Sequence, residues 1–172
     1  MSADPAARLV AELTERRWTV AVAESLTGGL LAARIVSVPG ASVAFTGGVV
    51  AYATELKASL LGVDPGLLAA RGPVDPVVAQ QMAERVRRVC EVAGRPAELG
   101  LATTGVAGPD AQDGHPPGTV HLGIASPRGI RSVSLELAGD RPAIREQTVA
   151  RAVEEALSEL AEWRDASAEY RS

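Results

Sequence analysis

A chain of 172 residues with 47% hydrophobic content predicts one domain, residues 1–172, with enough apolar material for a packed core. A formal charge of −4, no basic run and an aromatic content of 3% argue against nucleic-acid binding by charge or by base stacking. One cysteine, Cys90, excludes an internal disulfide and a multi-cysteine zinc site, and His115 and His121 alone leave little for a metal centre. With no leader pattern and no apolar run of membrane-spanning length, the expectation is a cytoplasmic protein without metal or cofactor.

Asp4-Pro5 reads as a cap followed by proline at the first helical position, opening a helix to about Arg17. Residues 19–23 form a short strand that ends at Glu24-Ser25-Leu26-Thr27-Gly28-Gly29. An apolar helix over residues 29–37 follows, stopped by Pro39-Gly40. Residues 49–52 form a second strand entered through Gly47-Gly48, and the next helix carries Glu55, Lys57 and Leu60-Leu61. Asp64-Pro65 and Asp75-Pro76 repeat the cap signature. The second of these opens a long amphipathic helix with Val78, Met82, Val86, Val89 and Ala93 on one face, ended by Gly94.

A third strand over residues 99–104 runs into the glycine-rich Gly105-Val106-Ala107-Gly108-Pro109. Residues 119–125 and 130–137 pair as a hairpin turned by Ser126-Pro127-Arg128-Gly129. Gly139-Asp140-Arg141-Pro142 starts a terminal helix with Val149, Val153, Ala156, Leu160 and Trp163 inward, and the tail after Asp165 is expected to fray. Helices between strands plus a late hairpin predict an α/β fold: a three-layer sandwich, with a mixed β-sheet covered by helices on both faces.

Among the 17 Lys and Arg residues only Lys57 is a lysine. Arginine serves wherever a permanent positive charge suffices, whereas a desolvated lysine can give up its proton. Lys57 therefore reads either as a base or as a surface lysine left by chance. Ser25 lies where the first strand hands over to a helix, so it is either a nucleophile beside backbone N–H donors or, with Thr27, a helix cap. Gly28 and Gly29 allow close approach to that backbone.

Tyr52 ends the second strand, five residues before Lys57. If the first two strands are parallel, Ser25, Tyr52 and Lys57 share the sheet edge at which open α/β sheets bind ligands. Tyr52 then either hydrogen-bonds the lysine or the attacked group, or is an ordinary amphipathic strand-end tyrosine. The Thr104-Gly105 loop offers backbone N–H groups to a phosphate but lacks the Gly-Lys-Ser/Thr of a P-loop. Arg141 and Arg145, one turn apart at the start of the last helix, either bind an anion or are solvated. Asp140 reads as a cap, and Cys90 as part of the core.

Five blocks in order are similar to the CinA C-terminal domain family, whose members include nicotinamide-nucleotide amidohydrolases. They are Ala23 through Gly29; Gly48 through Tyr52 to Lys57 with Leu61-Gly62-Val63; Thr104 through Asp110; Pro117 through Val120; and Gly139 through Arg145. The resemblance implies hydrolysis of the carboxamide of nicotinamide mononucleotide to nicotinate mononucleotide and ammonia through a Ser–Lys acyl-enzyme. Ser25 is then the nucleophile, Lys57 the base and Tyr52 its neighbour; Thr27, Gly28, Gly29, Thr104, Gly105, Arg141 and Arg145 face the nucleotide. A homodimer is the implied assembly. The sequence departs from the family pattern at Asp75, where Ser is usual, and at Ala111-Gln112-Asp113-Gly114-His115, usually glycine-rich and ending in Lys-Pro. Two other readings stay open: a non-catalytic nucleotide-binding module in competence or DNA repair, and an amidase for a different small amide.

Overall fold

The computed structural model describes residues 4–169, and their side chains as far as residue 163. In chain order the elements are α1 (Pro5–Arg16), β1 (Val20–Glu24), α2 (Leu30–Val36), β2 (Phe45–Val50), α3 (Thr54–Ser59), α4 (Pro65–Arg71), α5 (Pro76–Val89), β3 (Leu99–Gly105), β4 (Thr119–Ser126), β5 (Gly129–Glu136) and α6 (Arg141–Glu169). One five-stranded sheet has the order β2-β1-β3-β4-β5. β1 is parallel to both β2 and β3, while β4 and β5 continue the sheet antiparallel. The expected mixed sheet with two helical layers is therefore the observed one.

Each face of the sheet has its own core. On one side Val20, Val22, Leu99, Leu101, Leu122 and Ile124 pack with apolar residues of α1, α2 and α6. On the other side Ala21, Ala23, Ala102 and Ala125 meet Val78, Met82, Ala83 and Val86 of α5. The second face is built from small residues, and that lets α5 lie close. A Cβ at Gly100 would stand 2.0 Å from Ala83 O, and one at Gly123 2.0 Å from Ala79 O. Close seating of α5 carries its N-terminal loop, Pro73-Val74-Asp75, to the C-terminal ends of β1 and β3.

Caps follow from the sequence. Asp4, Asp64 and Asp75 each accept backbone N–H groups at the starts of α1, α4 and α5, with proline in the first turn. Two boundaries differ from the sequence reading. β2 begins at Phe45, and Tyr52 lies beyond its end. Gly47-Gly48 belong to the strand itself, because a Cβ at Gly48 would meet Val22 Cγ2 at 2.7 Å. α5 stops at Val89, which is exposed, since Val92 and Arg95 pair in a tight turn with Ala93 at positive φ. α6 spans Arg141–Glu169, and residues 170–172, in the tail expected to fray, lie outside the described residues.

Candidate active site

The C-terminal ends of the three parallel strands converge on Ser25. Its backbone N–H donates to Thr103 O of β3 at 3.0 Å, and the preceding residue, Glu24, accepts the Ala51 N–H at 2.8 Å through its carbonyl. Ala51, just past β2, in turn accepts a hydrogen bond from Lys57 Nζ at 3.0 Å. Lys57 Nζ also donates to Ser25 Oγ at 2.9 Å. One backbone relay thus aligns the amine and the hydroxyl. Lys57 is 1% exposed and Ser25 8%.

Burial lowers the Lys57 pKa to about 8, and the Glu55 carboxylate acts in the opposite direction. Among the described residues no ion pair joins Lys57 to a carboxylate. Glu24, the carboxylate next to Ser25 in the chain, is engaged elsewhere. Its buried side chain accepts the N–H groups of Gly29, Leu31 and Ala32 at 3.0, 3.0 and 2.8 Å. It serves as a remote cap for α2, supplying acceptors to donors that helix geometry leaves free.

Ser25 and Lys57 open into a cleft of about 190 Å³. Tyr52, Thr104, Gly105 and Arg141 line it, with Leu26, Asp110 and Gln112 from segments the sequence had marked, and with Pro73 and Val74, which sequence reasoning passed over. Thr104 Oγ1 donates to Pro73 O at 2.7 Å and so ties the end of β3 to the loop before α5. A Cβ at Gly105 would come within 2.5 Å of Thr119 O, so this position is held bare by β4. Tyr52 lies at the rim, and among the described residues its hydrogen bond is not to Lys57: its Oη accepts from Arg141 Nη2 at 2.7 Å, while Arg141 Nη1 donates to Gly108 O at 2.8 Å.

The other residues expected to face a nucleotide are engaged within the protein. Thr27 is fully buried, with its hydroxyl 2.8 Å from Thr103 Oγ1. Gly28 and Gly29, at φ of 59° and 101°, form the left-handed turn into α2; their N–H groups go to Ser25 O and Glu24 Oε2. Arg145 reaches back from α6, and its Nε and Nη2 donate to Leu26 O and Thr27 O at 2.9 and 2.8 Å. These four hold the Ser25 turn rather than the cleft wall. The sequence signal for Glu24 was its place between a strand and a Gly-Gly helix start; Arg145 carried none that named its carbonyl partners.

Among the described residues no group of three or more His, Cys, Asp and Glu side chains could hold a metal ion, and no helix is long and apolar enough to cross a membrane. His121 pairs with Ser134 Oγ across the β4–β5 ladder, away from the serine.

The sheet order and the buried amine–hydroxyl pair define a mixed-sheet α/β protein with a Ser–Lys constellation at its parallel-strand edge. Residues 2–160 match the family model of the CinA C-terminal domain, and the chain belongs to that family. A CinA-like protein of Frankia casuarinae is 55% identical over 142 residues, covering 83% of this chain and 32% of its own length. The chain thus spans about a third of the length of the curated relatives it matches. Among solved structures, a competence-damaged protein (CinA) superfamily protein from Klebsiella pneumoniae superposes with a TM-score of 0.86 at 31% identity, covering 92% of this chain and 97% of that one. The competence/damage inducible protein CihA from Agrobacterium tumefaciens gives 0.83 at 30%, covering 90% and 92%.

Proposed function

We propose that this chain is an amidohydrolase that converts nicotinamide mononucleotide and water to nicotinate mononucleotide and ammonia through a Ser25 acyl-enzyme. The observation that carries the reading is the 2.9 Å contact between Lys57 Nζ and Ser25 Oγ, made by a buried amine with a pKa near 8. An ordinary lysine is protonated at neutral pH and useless as a base; this one is partly neutral, and a cationic pyridinium in the cleft favours the neutral form further.

With the amine neutral, the hydrogen bond reverses and the Ser25 O–H donates to Nζ. Lys57 takes that proton as Oγ attacks the carboxamide carbon, and the negative charge collects on the carbonyl oxygen. The Leu26 N–H follows the nucleophile directly and is claimed by no described protein acceptor, so it is the donor for this oxygen; Gly28 N–H is not, being bonded to Ser25 O. A donor so placed is worth roughly 3–4 kcal/mol in other acyl-transfer enzymes. Lys57 then gives its proton to the departing nitrogen, which leaves as ammonia. Water enters, loses a proton to the regenerated amine and cleaves the ester, releasing the acid and restoring Ser25.

A second reading, an amidase for another small amide, draws on Gln112, which lines the cleft from the 111–115 segment that departs from the family pattern. Ammonia release is measured with nicotinamide mononucleotide, nicotinamide and simple amides, with the pyridine product followed by chromatography. Equimolar nicotinate mononucleotide and ammonia from the first substrate supports the proposal. Turnover of simple amides alone supports the second reading, and no release from any amide overturns both.

A further inference from the structure

Among the described residues, four side chains that carry a hydroxyl line the cleft: Ser25, Tyr52, Thr54 and Thr104. Three of them are engaged within the protein. Ser25 Oγ accepts from Lys57 Nζ, Tyr52 Oη accepts from Arg141, and Thr104 Oγ1 donates to Pro73 O. Thr54 differs, since no hydrogen bond among the described residues involves its hydroxyl. A threonine one position earlier would cap α3, but that place belongs to Ala53, and Thr54 is already the first helical residue. The fold therefore makes no use of this hydroxyl, although the cleft receives it.

The direction of Lys57 brings its amine to the same end of α3. Long helical side chains lean toward the N-terminus of their helix, and Lys57 does so to the full. Its Nζ reaches Ala51 O at 3.0 Å, and Ala51 precedes the first residue of the helix. Positions 54 and 57 are also neighbours on a helix surface, being three residues apart. Thr54 and Lys57 thus share one end of α3 and one cleft, and the remaining bond of the amine goes to Ser25 Oγ.

The two half-reactions ask different things of this corner. In acylation the leaving nitrogen is covalently part of the substrate and is placed with it. In deacylation the nucleophile is a free water molecule, which must be oriented as well as deprotonated. Neutral Lys57 has one lone pair and takes one hydrogen of that water. A second acceptor fixes the other hydrogen and leaves an oxygen lone pair for the ester carbon. We propose that Thr54 is this second acceptor and that it holds the hydrolytic water against Lys57, a role that rests on the amidohydrolase reading above. As the water oxygen bonds to the acyl carbon, one proton passes to Nζ and the bond from that carbon to Ser25 Oγ breaks. Nζ then returns the proton to Oγ, and the second hydrogen leaves with the product acid, which ionises in solvent.

Partitioning of the acyl-enzyme reads this step whichever half-reaction limits turnover. Hydroxylamine and water compete for the ester formed from nicotinamide mononucleotide, and chromatography gives the ratio of hydroxamate to acid. Hydroxylamine is the stronger nucleophile and depends less on an oriented base. Thr54→Val keeps the size of the side chain and removes the hydroxyl, so the ratio is expected to rise about five- to tenfold, the equivalent of one hydrogen bond. Thr54→Ser keeps the wild-type ratio, and Thr54→Ala repeats the rise in a smaller side chain. A packing defect lowers both products together and does not move the ratio. An unmoved ratio in Thr54→Val and Thr54→Ala, an equal rise in Thr54→Ser, or a rise found in Asp110→Asn and not in Thr54→Val each overturns the assignment while the hydrolase reading stands. Neither acid nor hydroxamate from the unaltered chain overturns the hydrolase reading, and this assignment with it.

Discussion

Lys57 and Ser25, 32 residues apart in the chain, meet at 2.9 Å because each is fixed to the same pair of strand ends. Ser25 hangs from the end of β1, and Lys57 is held to Ala51, whose own N–H returns to Glu24. Removing either side chain therefore leaves the other in place, and substitutions here read out chemistry more than folding.

Lys57→Arg keeps a positive charge but loses the ability to be neutral. Turnover of nicotinamide mononucleotide is expected to fall by about 10²–10⁴-fold, the range of a lost general base. Circular dichroism shows whether the variant is folded, and ammonia release at saturating substrate is the deciding measurement. Wild-type turnover by folded Lys57→Arg removes the base from the mechanism.

The pH dependence has a definite sign. In the proposed mechanism Lys57 acts while neutral, so kcat/KM is expected to rise as pH climbs through about 8. Stability moves the same way. Between about 8 and 10.5, the ordinary value for a lysine, the unfolded chain binds the lysine proton and the native chain does not, so stability rises with pH across that window. Relative to Lys57→Met, which lacks the titrating group, wild type gains about 3 kcal/mol over the window. Urea melts of both chains at the two ends measure the difference; a constant gap means that the native amine titrates as it does unfolded.

Glu24→Gln tests the cap beneath the Ser25 turn. Three backbone N–H groups converge on this buried carboxylate, and an amide brings its own donors against them. A loss of about 1–3 kcal/mol in chemical denaturation is expected. Activity per folded molecule falls as well, because Gly29 N–H is one of the three donors and belongs to the Ser25 turn. An unchanged midpoint shows that the cap contributes nothing.

Arg145 acts through the turn rather than on the ligand. Arg145→Lys cannot serve both Leu26 O and Thr27 O from one forked group, so the turn loosens and kcat drops about tenfold or more, the equivalent of one charge-assisted bond, while KM holds. Steady-state kinetics separates the two parameters. A rise confined to KM identifies Arg145 as a ligand contact instead.

What the sequence disclosed was local or compositional. Helix starts followed from Asp-Pro pairs, the β4–β5 hairpin from its Pro-Arg-Gly turn, and Lys57 from its isolation among arginines. β2 was read short because Gly47-Gly48 looks like an entry turn; only the packing of Gly48 on Val22 explains glycines inside a strand. The destinations of long side chains were illegible for a different reason. Arg145 lies over a hundred residues from the carbonyls that it binds, and two arginines one turn apart gave no hint that one clasps the turn while the other spans the mouth. Thr27 stands in a glycine-rich turn that looks solvent-facing, yet it is sealed beneath by Thr103.

An ε-amine without siblings is its own label. Any lysine-selective signal from this chain, whether a nitrogen resonance of the ammonium group or the mass increment of an acylating reagent beyond the amino terminus, originates at one atom 2.9 Å from a hydroxyl oxygen. Ligand arrival at the sheet edge can therefore be followed in the unmodified polypeptide, site-resolved, without mutagenesis or an introduced probe.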